Sequence, residues 1–113
     1  MVLEWADLGL YASRRESFGV APLEMMALAR AVLAHRIGGL TEVIKEGTTG
    51  GFVASLSPSD WADALEPLIL NPDRARTWGG HGPLWVRSRY NFEDNVQQML
   101  AVYTRVLQST PRP

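Results

Sequence analysis

The sequence predicts an α/β fold, a small parallel sheet with flanking helices. Three observations carry that expectation. Short apolar runs bounded by Gly, Ser and Pro have the length of buried strands. They alternate with segments of helical spacing, and the order strand–helix–strand–helix–strand–helix is that of a parallel sheet with right-handed crossovers. The 113 residues, with 46% apolar and 20% charged side chains, have the size and composition of one ordinary globular domain.

Leu8-Gly9-Leu10-Tyr11-Ala12, closed by Ser13-Arg14-Arg15, reads as the first strand. Ser17 and Gly19 mark a loop, and Pro22 suits the first turn of a helix running to about Ala29, since its missing N–H has no intrahelical partner there. Ala31-Val32-Leu33-Ala34-His35 is the second strand, broken by Ile37-Gly38-Gly39. Thr41 to Glu46 reads as a short helix stopped by Gly47, and Gly50 to Ala54 as the third strand. Ser57-Pro58-Ser59-Asp60 opens a helix with the apolar stripe Trp61, Leu65, Leu68 and Ile69, with Asp60 and Asp63 favourable near its positive end. Asn71-Pro72 ends it. A further helix runs from Pro72 into the Trp78–Arg87 region, and Gly79, Gly80, Gly82 and Pro83 are expected to interrupt it. Phe92 to Val106 has the clearest helical pattern, with Val96, Met99, Leu100, Tyr103 and Leu107 recurring at three and four residues. The domain is expected to cover 1–108, with 109–113 as a frayed tail.

Bulk properties exclude several classes. The net charge of −1 calls for neither nucleic acid nor an anionic membrane surface. The basic residues are ten Arg and the single Lys45, a bias that base composition explains more readily than anion binding. The absence of Cys excludes disulfides and thiolate zinc sites and fits a reducing compartment. The first ten residues lack the basic start and apolar run of a signal peptide, and no run approaches a membrane span, so the expectation is a cytoplasmic chain. His35 and His81 have no second ligand at metal spacing, so no metal is expected. Trp61, Trp78 and Trp85 are expected to pack, and Trp5 to be exposed.

The most informative segment is Glu16-Ser17-Phe18-Gly19-Val20-Ala21-Pro22-Leu23-Glu24. Glu16 lies in the loop after a strand, where open α/β sheets hold their ligand crevice. Glu24 is expected in the first turn of the following helix. Between them the amides of Phe18, Gly19, Val20 and Ala21 have no intrahelical acceptor and form a natural anion site. Gly19 lets a ligand approach the backbone closely. Carboxylates for hydroxyls and amides for phosphate suit a nucleotide sugar. On spacing alone the plainer reading stands beside it: Glu24 favours the helix dipole and Glu16 is a solvated loop residue.

The segment resembles the E-x7-E motif of the retaining glycosyltransferases of group 1, which have the two-domain GT-B fold. Glu16-Ser17-Phe18-Gly19 is similar to that family's E-G-F-G, and Leu23-Glu24-Met25-Met26-Ala27 to its L-E-A-M-A. Ala31-Val32-Leu33-Ala34 is similar to its P-V-V-A strand. Gly38-Gly39 with Glu42, then Glu46-Gly47-Thr48-Thr49-Gly50-Gly51-Phe52-Val53, resembles its G-G-x-x-E and D-G-x-T-G-x-L-V runs. Tyr90-Asn91-Phe92-Glu93 resembles its F-S-W-E. The resemblance implies the C-terminal part of a donor-binding domain with a partial Rossmann-like sheet. It implies that Glu24 holds the donor ribose and that Glu16 lies by the hydroxyls of the transferred sugar, as the catalytic-site carboxylate but not a nucleophile. The amides of Phe18, Gly19 and Val20 would contact sugar and diphosphate. A nucleotide sugar is the implied substrate, with no cofactor.

Three positions depart from the family pattern: Ser17 replaces Gly, Ala12 replaces Pro and Ala31 replaces Pro. The family's phosphate-clamping Arg and Lys, its base-binding strand and its acceptor domain correspond to segments upstream of Met1. The expectation is therefore a part of a glycosyltransferase that is inactive alone. Arg14 and Arg15 lie near the phosphate position, but no motif assigns them a role. The alternative is a non-catalytic interaction module that keeps the donor fold. Tyr103, Val106 and Leu107 are expected to form an uncovered apolar face, available to an acceptor-domain chain or to self-association.

Overall fold

The computed structural model describes residues 2–109. After a short 3-10 turn at Val2–Trp5, the elements are β1 (Leu8–Tyr11), α1 (Val20–Ala27), β2 (Ala31–His35), α2 (Leu40–Val43), β3 (Gly50–Val53), α3 (Pro58–Leu70), α4 (Pro72–Arg89) and α5 (Phe92–Ser109). The three strands form one parallel sheet in the order β1-β2-β3. No helix among the described residues is long and apolar enough to cross a membrane.

β2 is central because Ala31, Val32, Leu33 and Ala34 can be buried on both faces, as in parallel sheets generally. Val32 and Ala34 join Met25, Met26, Leu40, Val43 and Ile44 in the main core cluster. Ala31 joins Leu68 and Trp78 in a second cluster under α3 and α4. Each fully buried aliphatic side chain of this kind contributes about 1.5–3 kcal/mol from removal of apolar surface from water. Gly51 leaves room for Trp78, whose ring would lie 3.2 Å from a Cβ at that position.

The main differences from the sequence expectation lie in four helices. α1 starts at Val20, two residues ahead of Pro22, because Gly19 (φ 105, ψ 53) turns the chain into the helix there. α2 covers only Leu40–Val43, because Ile44 goes extended (φ −96, ψ 127) and enters the core. α4 is not interrupted: it is continuous from Pro72 to Arg89 through Gly79, Gly80, Gly82 and Pro83. A Cβ at Gly79 would lie 2.3 Å from the Ala29 carbonyl oxygen, and one at Gly82 would lie 2.3 Å from that of Met26. These glycines permit backbone-to-backbone packing of α4 on the end of α1. α5 runs on to Ser109, the first residue of the expected tail, and 110–113 lie outside the described residues.

α1 ends in a Schellman arrangement. The Arg30 amide donates to the Met25 carbonyl (2.9 Å) and the Ala29 amide to that of Met26 (3.1 Å), with Ala29 in the left-handed region at φ 58. The Trp expectations hold. Trp78 is buried, Trp85 donates from Nε1 to the Val43 carbonyl (2.8 Å), Trp61 donates to that of Ser55 (2.9 Å), and Trp5 is 88% exposed.

Candidate functional site at the carboxyl ends of the strands

The chain leaves β1 at Tyr11 and enters α1 at Val20, so Glu16 to Gly19 form the loop over the carboxyl end of the sheet. The loop lies against the Gly38-Gly39 turn that follows β2. The Gly39 amide donates to the Glu16 carbonyl at 3.2 Å. A Cβ on Gly38 would come within 2.0 Å of that same oxygen, and one on Gly39 would come within 2.6 Å of the Phe18 Cα. Only glycine fits beneath the loop at either place, and Gly38 also needs its positive φ of 48. The sequence marks this pair as a strand breaker and as part of a G-G-x-x-E-like run; the close backbone approach is the physical reason for two glycines here.

The predicted residues are brought together on this one loop and helix. Gly19 is buried, its backbone against Leu40. Glu16 is partly buried, and Phe18, Val20 and Glu24 are exposed. Among the described residues, no backbone acceptor meets the amides of Phe18, Gly19, Val20 or Ala21. These N–H groups stand at the end of α1 where the helix dipole is positive. One placement is corrected: Glu24 is the fifth residue of α1, and no acidic residue lies in the first turn. Dipole stabilisation fades within that turn, so the plainer explanation of Glu24 weakens.

Two tyrosines make contacts with the candidate site that nothing local in the sequence announces. The Tyr11 hydroxyl donates to the Ala21 carbonyl at 3.1 Å, tying β1 to the start of α1. Burial pushes the Tyr11 phenol above its ordinary pKa, and the Glu24 carboxylate adds to the rise, so Tyr11 stays a donor. Tyr90 meets the Phe18 ring edge to face, with centroids 5.8 Å apart. The two histidines each bond a backbone carbonyl, His35 that of Ser13 (2.7 Å) and His81 that of Thr48 (3.1 Å). Arg14 and Arg15 are exposed and form no ion pair among the described residues.

A parallel sheet whose carboxyl edge carries a seated loop is the arrangement of open α/β domains, which hold their ligand crevice at that edge. Residues 1–85 match the glycosyl transferases group 1 family. The chain is 34% identical over 102 residues to a D-inositol 3-phosphate glycosyltransferase of Corynebacterium urealyticum, covering 90% of this chain and 24% of the relative. It superposes on a sucrose-phosphate synthase from Thermosynechococcus elongatus with a TM-score of 0.87 at 28% identity, over 96% of this chain and 27% of that one. An Anabaena protein solved in complex with UDP-glucose has the same fold (TM-score 0.83, 20% identity, 92% and 29% covered). The chain belongs to the glycosyl transferases group 1 family, and its fold is that of part of a GT-B glycosyltransferase. It spans about a quarter of the length of the curated relatives it matches.

Proposed function

We propose that this chain is the donor-binding part of a retaining glycosyltransferase and receives a nucleotide sugar on the Glu16–Glu24 segment. The observation that carries the reading is the seated loop with its four unbonded amides. The amides of Phe18, Gly19 and Val20 receive the diphosphate and stabilise the charge that grows on it as the sugar leaves, which is the electrostatic form of catalysis. Glu24, reaching out from the second turn of α1, accepts hydrogen bonds from the ribose hydroxyls. Glu16 does the same for the hydroxyls of the transferred sugar and is not a nucleophile. Tyr11, fixed to the Ala21 carbonyl, keeps the first turn of α1 in register with β1.

Sugar transfer belongs to the complete enzyme, with the present chain inactive alone. A cytoplasmic setting goes with the same proposal and agrees with the cysteine-free composition. UDP is the first nucleotide to test, because a structural neighbour is solved with UDP-glucose. Calorimetric titration should detect UDP, and Glu24→Ala should weaken it at least tenfold, the order expected on losing a charge-assisted hydrogen bond of about 1.5–3 kcal/mol. Glu66→Ala, at an exposed position of α3, should change nothing. Equal affinity in Glu24→Ala and the parent would remove Glu24 from the site.

A second reading, an interaction module on the same fold, is favoured by α5. Met99, Leu100, Tyr103, Val106 and Leu107 are all at least half exposed on it. Such a face suits an acceptor-domain chain or a second copy.

A further inference from the structure

The α4–α5 junction reaches back to the donor loop through one side chain. Tyr90 is where α4 stops (φ −122, ψ 43), its amide donating to the Val86 carbonyl at 2.8 Å. Its hydroxyl points to the Glu42 carbonyl at 3.4 Å, so the ring is placed from both α4 and α2. The ring meets Phe18 with planes at 83°, the edge-to-face geometry that aromatic quadrupoles favour. Phe18 in turn carries the backbone that rests on Gly39 and the amide that opens the anion site.

The loop has few other anchors for its side-chain face. Phe18 is 46% exposed. The groove beside it is lined mainly by polar residues, among them Asn91, Asp94, Asn95 and Gln98, with Leu23 as its aliphatic wall. Gly19, next in the chain, adds no side chain to hold the turn, and its φ of 105 is a conformation it can leave. We propose that Tyr90 is a positioning residue for the donor loop. By holding the Phe18 ring it keeps the Phe18, Gly19 and Val20 amides aligned for the diphosphate of a nucleotide sugar. The inference rests on the donor-binding reading above.

The test compares amide spectra of the parent chain, Tyr90→Ala and Tyr90→Phe, each without and with UDP. Tyr90→Ala should move the signals of Ser17 to Ala21 in the free protein, leave those of Ala31 to His35 in place, and weaken UDP by roughly three- to tenfold, the value of an aromatic pair. Tyr90→Phe keeps the ring edge and should restore both. Should Tyr90→Ala fail to fold, Tyr90→Leu, which retains apolar bulk without the ring, gives the same readout. Loop signals unmoved by loss of the ring, or no restoration by Phe, would overturn the proposal. Displaced loop signals in a chain whose parent binds no UDP would uphold the hold of Tyr90 on the loop and overturn the donor-binding reading instead.

Discussion

α4 and α5 are both helices of 18 residues, and they behave in opposite ways. α4 contains three glycines and an internal proline, yet it buries Trp78, Gly79 and Gly82 and packs along α1 and the sheet. α5 has a regular apolar stripe, yet none of its residues is buried. An apolar face is only an offer of burial, and a partner must be within reach. A helix with a poor stripe can be indispensable when its glycines let two backbones meet. The same device recurs at the candidate site, where Gly38 and Gly39 admit the Glu16–Gly19 loop as Gly79 and Gly82 admit the end of α1.

The sharpest way to break this comparison is to fill the α4 glycines. Gly79→Ala or Gly82→Ala sets a methyl 2.3 Å from a carbonyl oxygen. Each should lower stability by about 1–3 kcal/mol, as overpacking does, in spite of the better helix propensity of Ala. Gly80→Ala, where nothing lies within 4 Å, should instead gain up to about 1 kcal/mol. Urea unfolding distinguishes the two, and a gain at all three positions would mean that α4 does not approach α1 this closely. A smaller gain of about 0.5–1 kcal/mol is expected from Ala29→Gly, which relieves a left-handed alanine at the end of α1. The smallest effect belongs to α5. Tyr103 and Leu107 are 59% and 76% exposed, so Tyr103→Gln with Leu107→Gln should shift stability by less than about 0.5 kcal/mol. The same pair should reduce any concentration-dependent association seen by sedimentation. A large loss of stability would reveal a covered face.

Most of the fold was legible because burial of a short strand on both faces leaves a plain mark. The apolar run Ala31–His35 is β2 residue for residue. The helix patterns were legible for the same reason, through recurring apolar positions. What stayed hidden was long-range: Ala29 and Met26 lie about fifty residues before the α4 glycines they touch, and nothing near Gly79 or Gly82 announces them. The residues of the candidate site were found as a segment, since Glu16, Phe18, Gly19, Val20 and Glu24 lie on one loop and helix. Their supports were not, because Gly38, Gly39 and Tyr90 come from other elements and meet the loop only in the folded chain. The placement of Glu24 two residues deeper in the helix than expected follows from Gly19, whose positive φ starts the helix early.

The central claim is that the seated loop receives a nucleotide sugar. An amide chemical-shift titration with UDP-glucose, alongside the corresponding GDP and ADP sugars, tests it most directly. Saturable shifts are expected at Phe18 to Ala21 and at the Gly38-Gly39 turn beneath them, for one nucleotide in preference to the others, with weaker binding in Glu24→Ala. Unchanged loop amides at millimolar ligand, or shifts confined to α5, would contradict it.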